Sequence, residues 1–251
     1  MFDFTGMTVI VTGSGAGMGR EAAKLFAKMG ANVVVNSLSG SAQSACGEII
    51  ANGGKAIFVR GDVGLETDCR RIVDETVKAF GRIDVLVNAA GIVVDGSVET
   101  ALMEDWDRSM NTNVKSVFMM SRFAMPYLRE TKGSIVNVSS VVAIKGVKNR
   151  AIYSATKGAM LALSQCMAAE HIAEGIRVNC VCPGTVLSPS LQGRIDRTDD
   201  PEAAMHNFVA RQPMGRLGTS EEVAKAIVFA AGQGIGFMSG ANIVVDGGMT
   251  I

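Results

Sequence analysis

The chain has 251 residues, with 24 lysines and arginines against 24 aspartates and glutamates, so its formal net charge is zero and nothing in its electrostatics points to nucleic acid or an anionic membrane as partner. An apolar fraction of 48% with 29 glycines excludes a disordered chain and suits tightly packed α/β layers. The five cysteines (Cys46, Cys69, Cys166, Cys180, Cys182) form no CxxC and have no histidine pattern beside them, so they read as small buried hydrophobes in a reducing compartment, with neither a zinc site nor a disulfide framework expected.

The sequence enters structure early, with the run Met7–Val11, and shows no basic-then-apolar leader. No stretch reaches about eighteen uninterrupted apolar residues, and a soluble, cytoplasmic protein is expected. Strand-like runs follow at Thr8–Val11, Asn32–Val35, Ala56–Val59, Ile83–Val87, Ser134–Val138, Arg177–Val181 and Asn242–Val245. Segments of helical period lie among them at Gly19–Met29, Thr67–Phe80, Val114–Arg129, Ala155–Ile172 and Ser220–Ala231. Strand and helix in alternation imply right-handed crossovers and a doubly wound parallel sheet with helices on both faces. No linker, charge block or short repeat divides the chain, so one domain over residues 1–251 is expected. The least regular stretch, about Thr185–Gly218, carries three of the five prolines and reads as an insertion covering a substrate.

The first strand runs into Thr12-Gly13-Ser14-Gly15-Ala16-Gly17-Met18-Gly19 and then directly into a helix. Glycines allow positive φ and close backbone approach, and a pyrophosphate placed there meets the N–H groups and positive dipole of the helix start. The position after a strand, before a helix and at the head of a βαβ series makes this a dinucleotide-binding signature. Further along, Tyr153 and Lys157 stand four apart in a helical segment. Both side chains then share one face, where an ammonium can stabilise a phenolate whose pKa is ordinarily near ~10.

Taken together these residues resemble the short-chain dehydrogenase/reductase family. The glycine spacing of Gly13, Gly17 and Gly19 is that family's, and the resemblance spans the whole chain through Asp62-Val63, Asn88-Ala89-Ala90-Gly91, Asn113, Ser139-Ser140, Tyr153, Lys157, Pro183-Gly184 and Asp246-Gly247-Gly248. Asn88-Ala89 departs from the two asparagines common there, and Ser188 from the threonine that often follows Pro-Gly. The resemblance implies a Rossmann domain with a seven-stranded sheet and a nicotinamide cofactor. It implies Tyr153 as general acid or base, Lys157 as its electrostatic support, Ser140 as donor to the substrate oxygen, and Asn113 as holder of a water on the proton path. Cofactor contacts are expected from Gly13, Ser14, Gly15, Gly17, Met18, Gly19, Asn36, Ser37, Asp62, Val63, Asn88, Ala89, Ala90, Gly91, Tyr153, Lys157, Pro183, Gly184, Val186 and Ser188.

The second strand ends Val35-Asn36-Ser37-Leu38-Ser39, with no carboxylate to take a ribose 2′-hydroxyl or repel a 2′-phosphate. NADP(H) is therefore favoured over NAD(H), with Asn36, Ser37 and Ser39 as donors. Arg150 precedes Tyr153 by three residues, and Arg194 and Arg211 lie in the irregular stretch. Arginines hold carboxylates bidentately, so convergence near the tyrosine points to a hydroxy- or oxo-acid substrate. The segments around them resemble a branch that includes the cytosolic type of 3-hydroxybutyrate dehydrogenase and the 2-keto-3-deoxy-L-fuconate dehydrogenases, in which matching arginines bind the carboxylate. Reduction of a 3-oxoacyl thioester is the alternative enzyme reading, and a cofactor-binding regulatory protein the alternative outside enzymes. Neither His171 nor His206 has a companion for a metal site. Met119, Met120, Met125, Met160 and Trp106 read as core or subunit contact. The helices Val114–Arg129 and Ala155–Ile172 are apolar over more than one face, and the resemblance implies a homotetramer built on them.

Overall fold

In the computed structural model, which describes residues 2–251, seven parallel strands form one sheet in the order β3-β2-β1-β4-β5-β6-β9. The first half of the chain is β1 (Thr8–Thr12), α1 (Gly17–Lys28), β2 (Asn32–Ser37), α2 (Ser41–Ala51), β3 (Lys55–Arg60), α3 (Glu66–Phe80), β4 (Val85–Asn88), α4 (Met103–Met110) and α5 (Ser116–Thr131). The second half is β5 (Ser134–Val138), α6 (Ala151–His171), β6 (Arg177–Pro183), β7 (Val186–Leu187), α7 (Pro189–Ile195), α8 (Pro201–Val209), β8 (Gly218–Thr219), α9 (Ser220–Ala231) and β9 (Asn242–Val245). The doubly wound parallel sheet expected from the alternation is present.

Alternation along each strand divides the core into two layers. In β1, Val9 and Val11 face a layer closed by Ala22, Ala23 and Phe26 of α1, Ile49 of α2 and Ile227 of α9. Ile10, between them, faces Ile72 of α3, Met120 and Leu128 of α5 and Met160 of α6. Burial of each of these large side chains contributes about 1.5–3 kcal/mol, which is why Val/Ile runs with apolar neighbours on both faces specify central parallel strands. The expected methionines Met119, Met120, Met125 and Met160 are all buried here, whereas Trp106 is half-exposed.

Four helices lie outside the sequence-based expectation: α2, α4, α7 and α8. The last two occupy much of the stretch read as irregular. Both begin with proline at the first helical position, after Ser188 and Asp200, whose side chains accept from the backbone N–H of Leu191 and Ala203. The helix expected from Val114 in fact runs from α4 through a π-turn at Asn111–Lys115 into α5.

The strand order reverses between β1 and β4, which pair side by side with Thr12 opposite Asn88. β1 leads outward to β2 and β3, and β4 to β5, β6 and β9. The carboxyl ends of β1 and β4 thus leave a crevice between oppositely directed connections, and the glycine turn and Asn88–Gly91 both open onto it.

Candidate active site

A groove of about 630 Å³ lies over these strand ends, bounded by Gly13, Gly15, Ala16, Asp62, Val63, Ala90 and Gly91. Its floor is a backbone-on-backbone contact: a Cβ on Gly13 would lie 2.6 Å from Ala90 Cα, and one on Gly19 would lie 2.6 Å from Gly13 O. Gly13 and Gly17 have φ of +64° and +57°, which glycine adopts without strain. The Thr12 hydroxyl secures the other wall, accepting from Ala89 N at 3.1 Å and Ala90 N at 3.2 Å. A groove floored by bare backbone at the start of α1 fits a dinucleotide pyrophosphate. Met18, Pro183, Gly184, Val186 and Ser188 border the neighbouring cavity described below.

At four of the expected cofactor positions the side chain is bonded within the protein. The Ser14 hydroxyl donates to Val11 O at 2.9 Å and accepts from Asn36 N at 2.8 Å, so it binds the glycine turn to β2. The Asn36 amide is buried and donates to Val59 O at 3.0 Å and Gly61 O at 3.1 Å. Ser37 donates to Ser39 O at 2.5 Å and accepts from Ala42 N at 3.1 Å. Asn36 and Ser37 therefore line the groove with their side-chain donors already engaged. Asn88 is buried in the sheet, its amide donating to Asn137 Oδ1 at 2.9 Å. In each case a polar residue at a strand end satisfies backbone or sheet partners, as burial requires. The groups left at the end of β2 are the exposed hydroxyls of Ser39 and Ser41, and the Arg60 guanidinium, which donates through Nε to Leu38 O at 3.0 Å.

Beyond the groove, Ser140, Tyr153, Arg150, Arg194, Arg211 and Phe208 border a cavity of about 140 Å³. Helix α6 supplies Tyr153 and Lys157 one turn apart, and β5 delivers Ser139 and Ser140 at its carboxyl end. Burial raises the Tyr153 pKa, while the Ser140 hydroxyl and the Arg194 and Arg150 charges pull it down. Lys157 is buried, donates to Val138 O at 2.8 Å, and is lowered by desolvation to about 8. Its ammonium stands 5.6 Å from the Tyr153 ring centroid. Ser139, the alternative serine, donates to Lys157 O at 3.1 Å and so braces the helix, leaving Ser140 beside the phenol.

Asn113 is fully buried in the π-turn. Its Oδ1 accepts from Ile92 N at 2.8 Å, and its Nδ2 donates to Ile92 O at 2.9 Å and Thr156 Oγ1 at 3.0 Å. The side chain thus staples the segment after β4 to α6. Its amide donors are thus engaged within the protein.

The three arginines expected from separate parts of the sequence meet. Arg150 is the residue before α6, Arg194 lies on α7, and Arg211 follows α8. Arg194 and Arg211 lie over the Phe208 ring at 5.7 and 4.5 Å. Arg150 and Arg194 share Asp95, at 2.5 and 2.9 Å from its Oδ1. Burial lowers the pKa of Arg150 and Arg211, which also repel Arg194. Asp95 and Phe208 were not foreseen; each is one polar or aromatic residue in a segment without period, and only the fold places it here.

A family model described as enoyl-(acyl carrier protein) reductase matches residues 13–250. The chain is 39% identical over 248 residues to dehydrogenase/reductase SDR family member 6 of Rattus norvegicus, covering 98% of both chains. It is 38% identical to the meso-2,3-butanediol dehydrogenase of Serratia marcescens, covering 98% of this chain and 96% of that one. To the 2-keto-3-deoxy-L-fuconate dehydrogenase of Xanthomonas campestris it is 37% identical, covering 97% of this chain and 80% of that one. The chain belongs to the short-chain dehydrogenase/reductase family and is an NAD(P)-dependent oxidoreductase acting on CH–OH groups. Among the described residues no helix is long and apolar enough to cross a membrane, and no cluster of three metal-ligating side chains occurs.

Proposed function

We propose that the enzyme interconverts a secondary alcohol and a ketone on a small hydroxy or oxo acid of the sugar-acid type. The observation that carries this reading is the convergence of Arg150, Arg194 and Arg211 on the cavity that also holds Tyr153 and Ser140. The nicotinamide cofactor supplies hydride transfer. Tyr153 gives its phenolic proton to the carbonyl oxygen in reduction and takes one from the alcohol in oxidation. Ser140 donates to that oxygen as charge develops on it, and the Lys157 ammonium favours the phenolate. The arginines hold the carboxylate and so orient the reacting carbon toward the tyrosine.

This assignment treats residues 1–251 as one nucleotide-binding domain, with residues of about 185–218 covering the substrate. The Xanthomonas relative's name gives a keto acid and supports an acid substrate; the Serratia relative's name gives a neutral diol. Reduction of an acyl thioester would leave the three arginines without a shared task. NADP(H) is the favoured cofactor, for want of a carboxylate at the end of β2 and with Ser39, Ser41 and Arg60 available to a 2′-phosphate. NADPH is expected to bind more tightly than NADH in fluorescence titration, and the reverse order would overturn the preference. Phe118 on α5 is half-exposed and Trp106 on α4 nearly so, in keeping with a homotetramer assembled through this side of the molecule.

Arg211→Ala is the test of the acid reading. Loss of one charge-assisted contact of about 1.5–3 kcal/mol is expected to raise KM for hydroxy acids roughly 10- to 100-fold, at about 1.4 kcal/mol per decade. Neutral diols should be affected far less. Equal effects on 3-hydroxybutyrate and 2,3-butanediol in steady-state assays would remove the carboxylate from the proposal.

A further inference from the structure

Among the described residues, Asp95 is the one carboxylate paired with the arginine cluster. Its Oδ1 lies 2.5 Å from Arg150 Nη1 and 2.9 Å from Arg194 Nη2, and Oδ2 lies 3.2 Å from the same Arg194 nitrogen. Two guanidiniums thus pair with one carboxylate, the charge pairing that a carboxylate ligand would also make. Exposure is unequal across the contact: the Arg150 side chain is 9% exposed and the Asp95 side chain 57%. The backbone beneath Asp95 is fixed, because Gly96 N donates to Asn149 O and Ala151 N donates to Gly96 O. Rotation of the Asp95 side chain toward water therefore releases the Arg194 guanidinium and leaves Arg150 with its bond to Asn149 O at 2.6 Å, without moving the loop or the start of α6.

A substrate carboxylate approaching Arg150 and Arg194 meets a carboxylate already on them. A singly charged acid can replace it one for one, conserving the charge balance of the cluster while Asp95 regains water. A doubly charged acid brings a second anion beside the displaced Asp95, and like charges at that distance oppose binding. Hydroxyl groups next to the acid function carry no such penalty and can donate to Asp95. We propose that Asp95 is a specificity-determining residue, an internal stand-in for the substrate's carboxylate that sets the affinity of the cluster for acids and selects singly charged ones. The inference rests on the acid reading of the arginines given above.

The experiment compares wild type, Asp95→Asn and Asp95→Ser with 3-hydroxybutyrate as monoanion, malate as dianion and 2,3-butanediol as neutral probe. Each is titrated by ligand-induced change in Tm, which needs no turnover, and by steady-state kinetics where turnover occurs. Asp95→Asn, which keeps shape and hydrogen bonding but removes the charge, is expected to lower the midpoint concentration for 3-hydroxybutyrate about tenfold relative to butanediol. The gain for malate should be larger still, and in kinetics both gains should fall on KM and not on kcat. Asp95→Ser should show the same order of ligands if the asparagine variant folds poorly. An unchanged or reduced acid preference in the variants overturns the role of Asp95. Arg211→Ala, run in parallel, separates the two failures: acids insensitive to Arg211 defeat the acid reading itself, whereas acids sensitive to Arg211 and indifferent to Asp95 defeat this inference alone.

Discussion

Tyr153→Phe is expected to reduce kcat by about 10³–10⁴-fold, the range that a positioned acid or base contributes, while cofactor binding persists. The substitution removes one oxygen and keeps the ring that packs at the start of α6, so helix, arginines and Lys157 stay in place. Cofactor affinity measured by fluorescence, beside turnover in both directions, distinguishes loss of chemistry from loss of structure. Residual activity within tenfold of wild type would assign the proton to another group. The direction of the Tyr153 shift adds a pH signature in the wild-type enzyme. Burial raises its pKa, so the phenol is protonated at neutral pH, ready for reduction. Oxidation needs the phenolate; kcat/KM for alcohol oxidation should therefore climb as pH rises above neutrality, and that for ketone reduction should not.

Gly13→Ala is expected to cost about 2–5 kcal/mol of stability and to abolish tight cofactor binding. The positive φ of +64° is strained for any residue with a Cβ, at about 1–3 kcal/mol. The new methyl would also stand 2.6 Å from Ala90 Cα and 2.7 Å from Ala90 N, adding an overpacking penalty of similar size. Ala90 cannot retreat cheaply, since Thr12 holds its N–H and that of Ala89. Urea denaturation and cofactor titration measure both effects. Gly47→Ala, in the middle of α2 with nothing within 4 Å of the added methyl, is the control and should be neutral or stabilising by about 0.5–1 kcal/mol. A Gly13→Ala protein as stable as wild type would mean that the strand-end contact is looser than its geometry states.

Much of the catalytic side of the site is legible in sequence because it obeys period and punctuation. Tyr153 and Lys157 announce themselves by helical spacing, and the glycine turn by its place between a strand and a helix. Continuous Val runs give the buried parallel strands directly. What fails is whatever depends on where a hydrogen bond goes. The side chains of Asn36, Ser37, Ser14 and Asn88 each satisfy a neighbouring strand or turn, and no period or spacing announces those partners. Helices α7 and α8 go unnamed because their proline-bearing stretch reads as irregular, when proline after Ser188 or Asp200 equally well starts a helix. Asp95 carries no periodic or spacing signal; its importance lies wholly in meeting Arg150 and Arg194 from distant segments.

The pair of backbone bonds between Gly96 and the residues flanking Arg150 makes one wall of the cavity rigid. Arg150, the residue before α6, stands three positions ahead of Tyr153, and the Gly96 clip ties down that helix start. The proposed anion anchor and the proton donor are thus graduations on a single fixed ruler. Arg194 and Arg211, carried by the short helices α7 and α8 and their connections, form the jaw opposite. Redesign for longer acids should leave the ruler untouched and lengthen or reposition the jaw.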